Sequence, residues 1–236
     1  MTGDGWAQAV RRRLGLGRVL PLGGAADGTW VTESAAGTVL RRAAHGVTGV
    51  HLGVLRIARA DPGRAYAAAV PPPPSALPPG SLRITAEVAA SATEPLPATA
   101  ARLRSALAAA ADRLGLVVDE VDLRVAALLD EGTAPGDVPA GEAPPAAEPE
   151  SDGAAAQAAR AALSVPGVTR LTEVLGRAVH LEEHTEPDAL PRRHVRVEIA
   201  TDREHRALDV ALAVRAAVGA ALQDHPSVAV LVTGVD

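Results

Sequence analysis

Residues 82–88 read Leu82-Arg83-Ile84-Thr85-Ala86-Glu87-Val88, alternating apolar and polar with a period of two. That pattern predicts a strand with one buried and one wet face. Downstream, Leu96, Ala100, Leu103, Leu107, Ala110 and Leu114 recur at spacings of three and four, the signature of a helix with one buried face. Pro97 falls near its first turn, where a missing N–H costs little. A closing strand follows with Val121, Leu123 and Val125. Upstream lie an Ala-rich helical stretch from Glu33 to Ala44, the turn Val47-Thr48-Gly49-Val50, and a strand at about 52–57.

The same succession recurs. Ala154 to Leu163 reads as a helix, Val165-Pro166-Gly167-Val168 as the turn, and residues 178–182 as a strand. Val195, Val197 and Ile199 alternate with His194, Arg196 and Glu198. A helix from about Glu204 to Leu222 carries Leu208, Leu212, Val214, Val218 and Leu222, and the chain closes on Val228, Val230 and Val232. Thr201-Asp202-Arg203-Glu204 reads as a capping box for that helix. The expected fold class is therefore α+β, with helix–strand–strand–helix–strand written twice. The first two strands of each unit pair antiparallel, and a right-handed crossover brings the third in parallel. Each unit becomes a small two-layer sandwich.

Residues 1–130 are expected to form the first unit and 154–236 the second. Between them, residues 131–153 hold five Pro, four Gly and six acids, which predicts a solvated linker unable to offset its own ordering entropy. The linker also accounts for the net charge of -5. Residues 1–130 carry 14 Arg against 11 acids, and residues 154–236 carry nine Arg against 11. Neither unit has the basic footprint of a nucleic-acid binder. Within the first unit, residues 70–80 (VPPPPSALPPG) read as a polyproline II excursion on the surface. Its PxxP spacing also fits a partner ligand, though a stiff loop is the plainer reading.

The chain has 236 residues and no Lys, Asn, Phe or Cys, a bias that fits a high-GC genome. Without Cys there are no disulfides, thiolate nucleophiles or Cys-based zinc sites. With only Trp6, Trp30 and Tyr66 as aromatics, an aromatic platform for single-stranded nucleic acid cannot be built. No apolar run reaches the roughly 18 residues of a membrane span. Near the N-terminus, Arg12-Arg13-Leu14-Gly15-Leu16 loosely resembles a twin-arginine export signal, but Arg18 and Pro21 interrupt the apolar stretch it needs. Trp6, Val10 and Leu14 instead suit a short amphipathic segment, and Arg11 to Arg13 beside them leave a membrane-surface helix open.

Four features of each copy resemble the alkaline shock protein family of bacterial envelope stress response proteins. They are the helix reached through Gly28-Thr29-Trp30-Val31-Thr32-Glu33-Ser34-Ala35, the V-x-G-V turn at Val165-Pro166-Gly167-Val168, the alternating central strand, and the late strand Val118-Asp119-Glu120-Val121-Asp122-Leu123-Arg124-Val125. The resemblance covers about residues 15–130 and 154–236 and implies a tandem, divergent relative of actinobacterial type. Duplication in one chain, the Pro-rich insertion and the missing Lys-rich surface depart from the family pattern. The family has no catalytic motif to transfer.

Motifs that could carry chemistry are few. His180-Leu181-Glu182-Glu183-His184 satisfies the H-x-x-E-H pattern of inverted zinc peptidases. That chemistry needs both imidazoles one helical turn apart, whereas the repeat requires a strand here. The solvated strand edge is the preferred reading, with a surface metal site at His180 and His184 left open. Gly46-Val47-Thr48-Gly49 matches the GxxG of KH domains, but Ser164 replaces the first Gly in the second copy, so a turn is the common demand. Gly15-x-Gly17-x-x-Leu20 fails the dinucleotide fingerprint at its third Gly. Asp119, Glu120 and Asp122 read as solvated charges at a strand start. The histidines at 45, 51, 194, 205 and 225 are scattered and read as structural or exposed.

No catalytic residue, metal site or cofactor is expected. The expected function is a non-enzymatic scaffold or interaction protein, cytoplasmic or peripheral to the membrane. The resemblance links it to cell-envelope homeostasis or stress. Its partners would be a protein, a membrane-anchored one included, or a second copy of itself, with no nucleic acid. The alternative is a regulatory small-molecule-binding module using the interface between the two units.

Overall fold

A computed structural model describes residues 17–129, 144–147, 152–184 and 192–236. The expected α+β architecture is present. In chain order the elements are β1 (Val19–Leu22), β2 (Thr29–Thr32), α1 (Glu33–His45), β3 (Val50–Arg59), β4 (Leu82–Ser91), α2 (Leu96–Leu114) and β5 (Val118–Leu129). There follow α3 (Gly153–Leu163), β6 (Val168–Leu171), β7 (Val179–His184), β8 (Arg192–Thr201), α4 (Ala207–Ala221) and β9 (Ser227–Val235). One sheet has the order β3-β4-β5, and the other β1-β2-β9-β8-β6 with β7 also on β8.

Both halves follow the same pairing rules. β3 runs antiparallel to β4, and β4 parallel to β5. β6 and β7 run antiparallel to β8, and β8 parallel to β9. The likeness reaches single hydrogen bonds. Gly49 and Gly167, at φ 75 and 90, turn the chain from helix into strand. Each then accepts from the end of its central strand, Ser91 N–H on Gly49 O at 2.8 Å and Asp202 N–H on Gly167 O at 2.9 Å. Both central strands also shift register near their C-terminal ends, after Val88 and after Ile199.

Besides the extra strand β6 ahead of β7 and the packing of the Pro-rich segment against Trp30, three features depart from the sequence expectation. The stretch leading into α1 is a β-hairpin, and β2 pairs in parallel with β9 of the other half, Trp30 opposite Leu231. Residues 19–32, expected in the first unit, thus belong to the second sheet. Second, α4 begins at Ala207, not near Glu204, and lacks a side-chain cap. The physical reason is that Thr201 still ends β8, and the Asp202 carboxylate accepts the N–H groups of Glu204 and His205 in a tight turn. Third, residues 144–147 of the expected linker lie against β6, with Ala147 N–H on Leu171 O at 3.0 Å. Asp152 and Gly153 of that linker lead into α3, and its remaining residues, like the N-terminal segment around Trp6, fall outside the described residues.

One hydrophobic core runs through both halves, from Leu40, Leu103 and Ile84 to Val197, Val214 and Val230. The junction is apolar and tight: Gly115, left-handed at φ 93, ends α2 where any Cβ would strike Leu208 of α4. Its carbonyl accepts Gly23 N–H. Arg215 of α4 donates to the carbonyls of Ala26 and Asp27 in the hairpin turn, both at 2.9 Å.

Candidate interaction surface

The H-x-x-E-H motif lies on β7 of the six-stranded sheet. In β7 the strand period of two separates Glu183 from His180, placing them on opposite faces. His180 and Glu182 share a face, their side chains 3.7 Å apart and each almost half exposed. The one-turn spacing that makes H-x-x-E-H a zinc site therefore does not exist here. On β8, opposite β7, His194 is buried against Ser227 Oγ at 2.8 Å. Arg196 approaches Glu198 at 3.5 Å.

Glu198 is fully buried. The turn after β6 closes over it, with Val174 N–H at 2.7 Å and Leu175 N–H at 3.1 Å from its carboxylate. Burial pushes this carboxyl up to about 7, although the Leu175 and Val174 N–H groups and Arg196 pull it down. Perturbed carboxyls often mark active sites. A group without exposed surface cannot touch a substrate, so Glu198 pins the turn onto the sheet. Sequence reading placed Glu198 on the wet face of an alternating strand. The missed signal is the Leu175 cover, which no local pattern announces.

The remaining candidates fall apart. Gly46 is a right-handed helix cap at φ -70 and Gly49 a turn, so their GxxG serves chain reversal. His45, His51, His205 and His225 are exposed and lie on different elements. Half-burial raises the Glu33 carboxyl, but hydrogen bonds and charge from Arg18, with a bond from Ile57 N–H, outweigh it and hold the group below its ordinary value. Asp119, Glu120 and Asp122 are solvated, as expected, and Arg83 bridges the last two at 2.5 and 3.6 Å.

The candidates that remain are sheet edges. Exposed strand edges invite pairing with another chain, and proteins normally blunt or cover them. At β1, Leu77 N–H binds Val19 O at 2.8 Å. At β6, residues 146 and 147 take the edge. At β3, the Ile57 carbonyl takes Arg18 Nη2 at 2.5 Å and its N–H faces Glu33 Oε1 at 3.4 Å. At β9, the position equivalent to the outer edge of β5, β2 adds in parallel. Among the described residues no strand pairs with the outer edges of β3, β7 or β5, and the longest of these is β5. That strand is 12 residues long and exposed over much of its length. Val117, Val125 and Leu128, on it or beside it, are among the large apolar side chains left in solvent, Leu128 at 61%. Arg104 Nε reaches Val121 O at 3.3 Å, so this carbonyl faces the open side. Val121, Leu123 and Val125 then direct their N–H and C=O groups outward together.

Compared with protein-family models, with curated proteins and with solved structures, the chain matches none. No helix among the described residues is long and apolar enough to cross a membrane.

Proposed function

We propose that this chain is a non-enzymatic interaction protein, a scaffold whose docking element is the outer edge of β5. The observation that carries the reading is the contrast between edges. The edges at β1 and β6 take backbone bonds from flanking segments and β9 takes β2, while β5, the longest strand, takes one side-chain bond, from Arg104 to Val121 O, and keeps a long, partly apolar edge for another strand. Edge addition supplies affinity through main-chain bonds and specificity through alternate side chains. The resemblance to the alkaline shock family extends the proposal to cell-envelope homeostasis, inside the cell or at the membrane face, as a tandem relative.

The small-molecule alternative needs a polar pocket between the halves. Their junction is instead filled by Leu114, Leu208, Leu22 and their neighbours in one apolar cluster. The shallow groove of about 330 Å³ lined by Tyr66, Val70 and Pro78 lies along the Pro-rich segment, away from that junction. A photo-crosslinking residue at Val125 of the full chain in living cells, with His45 as control, tests the scaffold. Protein adducts enriched at Val125 are expected. Their absence would contradict a docking role for β5.

A further inference from the structure

We infer that the partner strand at this edge is β5 of a second copy, added antiparallel about a two-fold axis through Leu123. The inference rests on the docking reading above. Between its two register irregularities β5 is regular from Glu120 to Val125. Its inner side carries Val121, Leu123 and Val125, and its outer side Glu120, Asp122 and Arg124. Directly opposed residues of an antiparallel pair point to the same face. A self-pairing must therefore oppose odd residues to odd and even to even.

Charge then selects the register. A two-fold at Asp122 would set Asp122 against its own copy, and one at Arg124 would oppose two arginines. Like charges directly opposite destabilise a pair. Centring on Leu123 sets Asp122 against Arg124 of the second copy at both ends of the contact. It also sets Val125, 40% exposed in the single chain, against Val121. The Leu123 N–H and C=O groups, directed outward, form the reciprocal bonds of a hydrogen-bonded pair at the centre. Existing ion pairs do not compete: Arg83 and Glu87 on β4 meet Asp122 and Arg124 from within the sheet at 3.6 and 3.5 Å. The open side of both groups remains solvated, with Arg124 77% exposed. The product is a continuous six-stranded sheet made from two three-stranded ones, an isologous interface of closed symmetry.

Sedimentation equilibrium of the full chain tests this. The wild type should be a reversible dimer. Asp122→Arg alone and Arg124→Asp alone should each weaken association by about tenfold or more, while the combined variant, which restores opposite charges across the axis, recovers it. Because the chain contains no Cys, Leu123→Cys provides an independent register probe. The roughly 5.5 Å between Cα atoms of a hydrogen-bonded pair lies within disulfide range. Mild oxidation should give a covalent dimer, and Glu120→Cys, about six residues from its copy in this register, should not. A wild type monomeric at all concentrations overturns the inference, as does loss of association in the combined variant. If the Val125 crosslinker then captures a different protein, the docking edge stands and only the self-pairing fails. If it captures nothing, both fail.

Discussion

Glu198 shows most clearly how a residue's surroundings set its chemistry here. An ordinary glutamate titrates near 4.5, and burial raises Glu198 to about 7. Between those values the folded chain binds more protons than the unfolded one, so stability falls as pH rises from about 4.5 to about 7 and levels above it. The loss from this one group is on the order of 3 kcal/mol. Replacing Glu198→Gln removes the titration while keeping an acceptor for Val174 and Leu175. Urea midpoints measured at about pH 5 and about pH 7.5 should fall for the wild type and stay level for the variant. An identical pH dependence in both would refute the burial account. The sequence contained the residue and its strand, but not its cover, because alternation reports a strand's period and leaves open what lies over the far face.

At the scale of elements, most of the secondary structure was legible and its assembly was not. α1, α2, β4 and β8 fall where apolar periodicity placed them, because each buries one regular face. The hairpin of β1 and β2 escaped notice: four-residue strands carry too few residues for a period to show. A further clue was present in the closing strands. β5 alternates apolar and charged residues, whereas Val228-Ala229-Val230-Leu231-Val232 is continuously apolar, the composition of a strand covered on both faces. That run predicts a neighbour and a second layer for β9, and the second layer is the Pro-rich insertion. Val70 packs with Val19, Trp30, Ala229 and Leu231 in a separate apolar cluster, with Trp30 only 1% exposed. The segment expected to be a free surface excursion is thus the lid of a small core. In a Trp6→Leu background, Val70→Asp should shift Trp30 emission to longer wavelength and cost roughly 2–4 kcal/mol of stability. Unchanged emission would mean the segment does not shield the ring.

For the whole molecule, the parallel pairing of β2 with β9 makes one body of a sequence that reads as two units and a linker. The two halves share strand directions and turn hydrogen bonds, with β6 and β7 together standing where the first half has β3, yet they differ in what adjoins their closing strands. β9 has β2 on its outer edge and the Pro-rich segment over its far face, whereas β5 has solvent. That asymmetry could not be read from either copy alone, since it depends on which strand reaches which sheet. It is also what the proposed assembly rests on. The central claim is that the outer edge of β5 is open in the single chain and closed by a second copy, and amide hydrogen exchange across a dilution series reads it directly. The N–H groups of Val121, Leu123 and Val125 should exchange freely at the lowest protein concentration and become protected as concentration rises, while Val230 and Leu231 in β9 stay protected throughout. Protection of the three β5 amides that does not change with concentration, or exchange that stays fast at every concentration, would contradict the account.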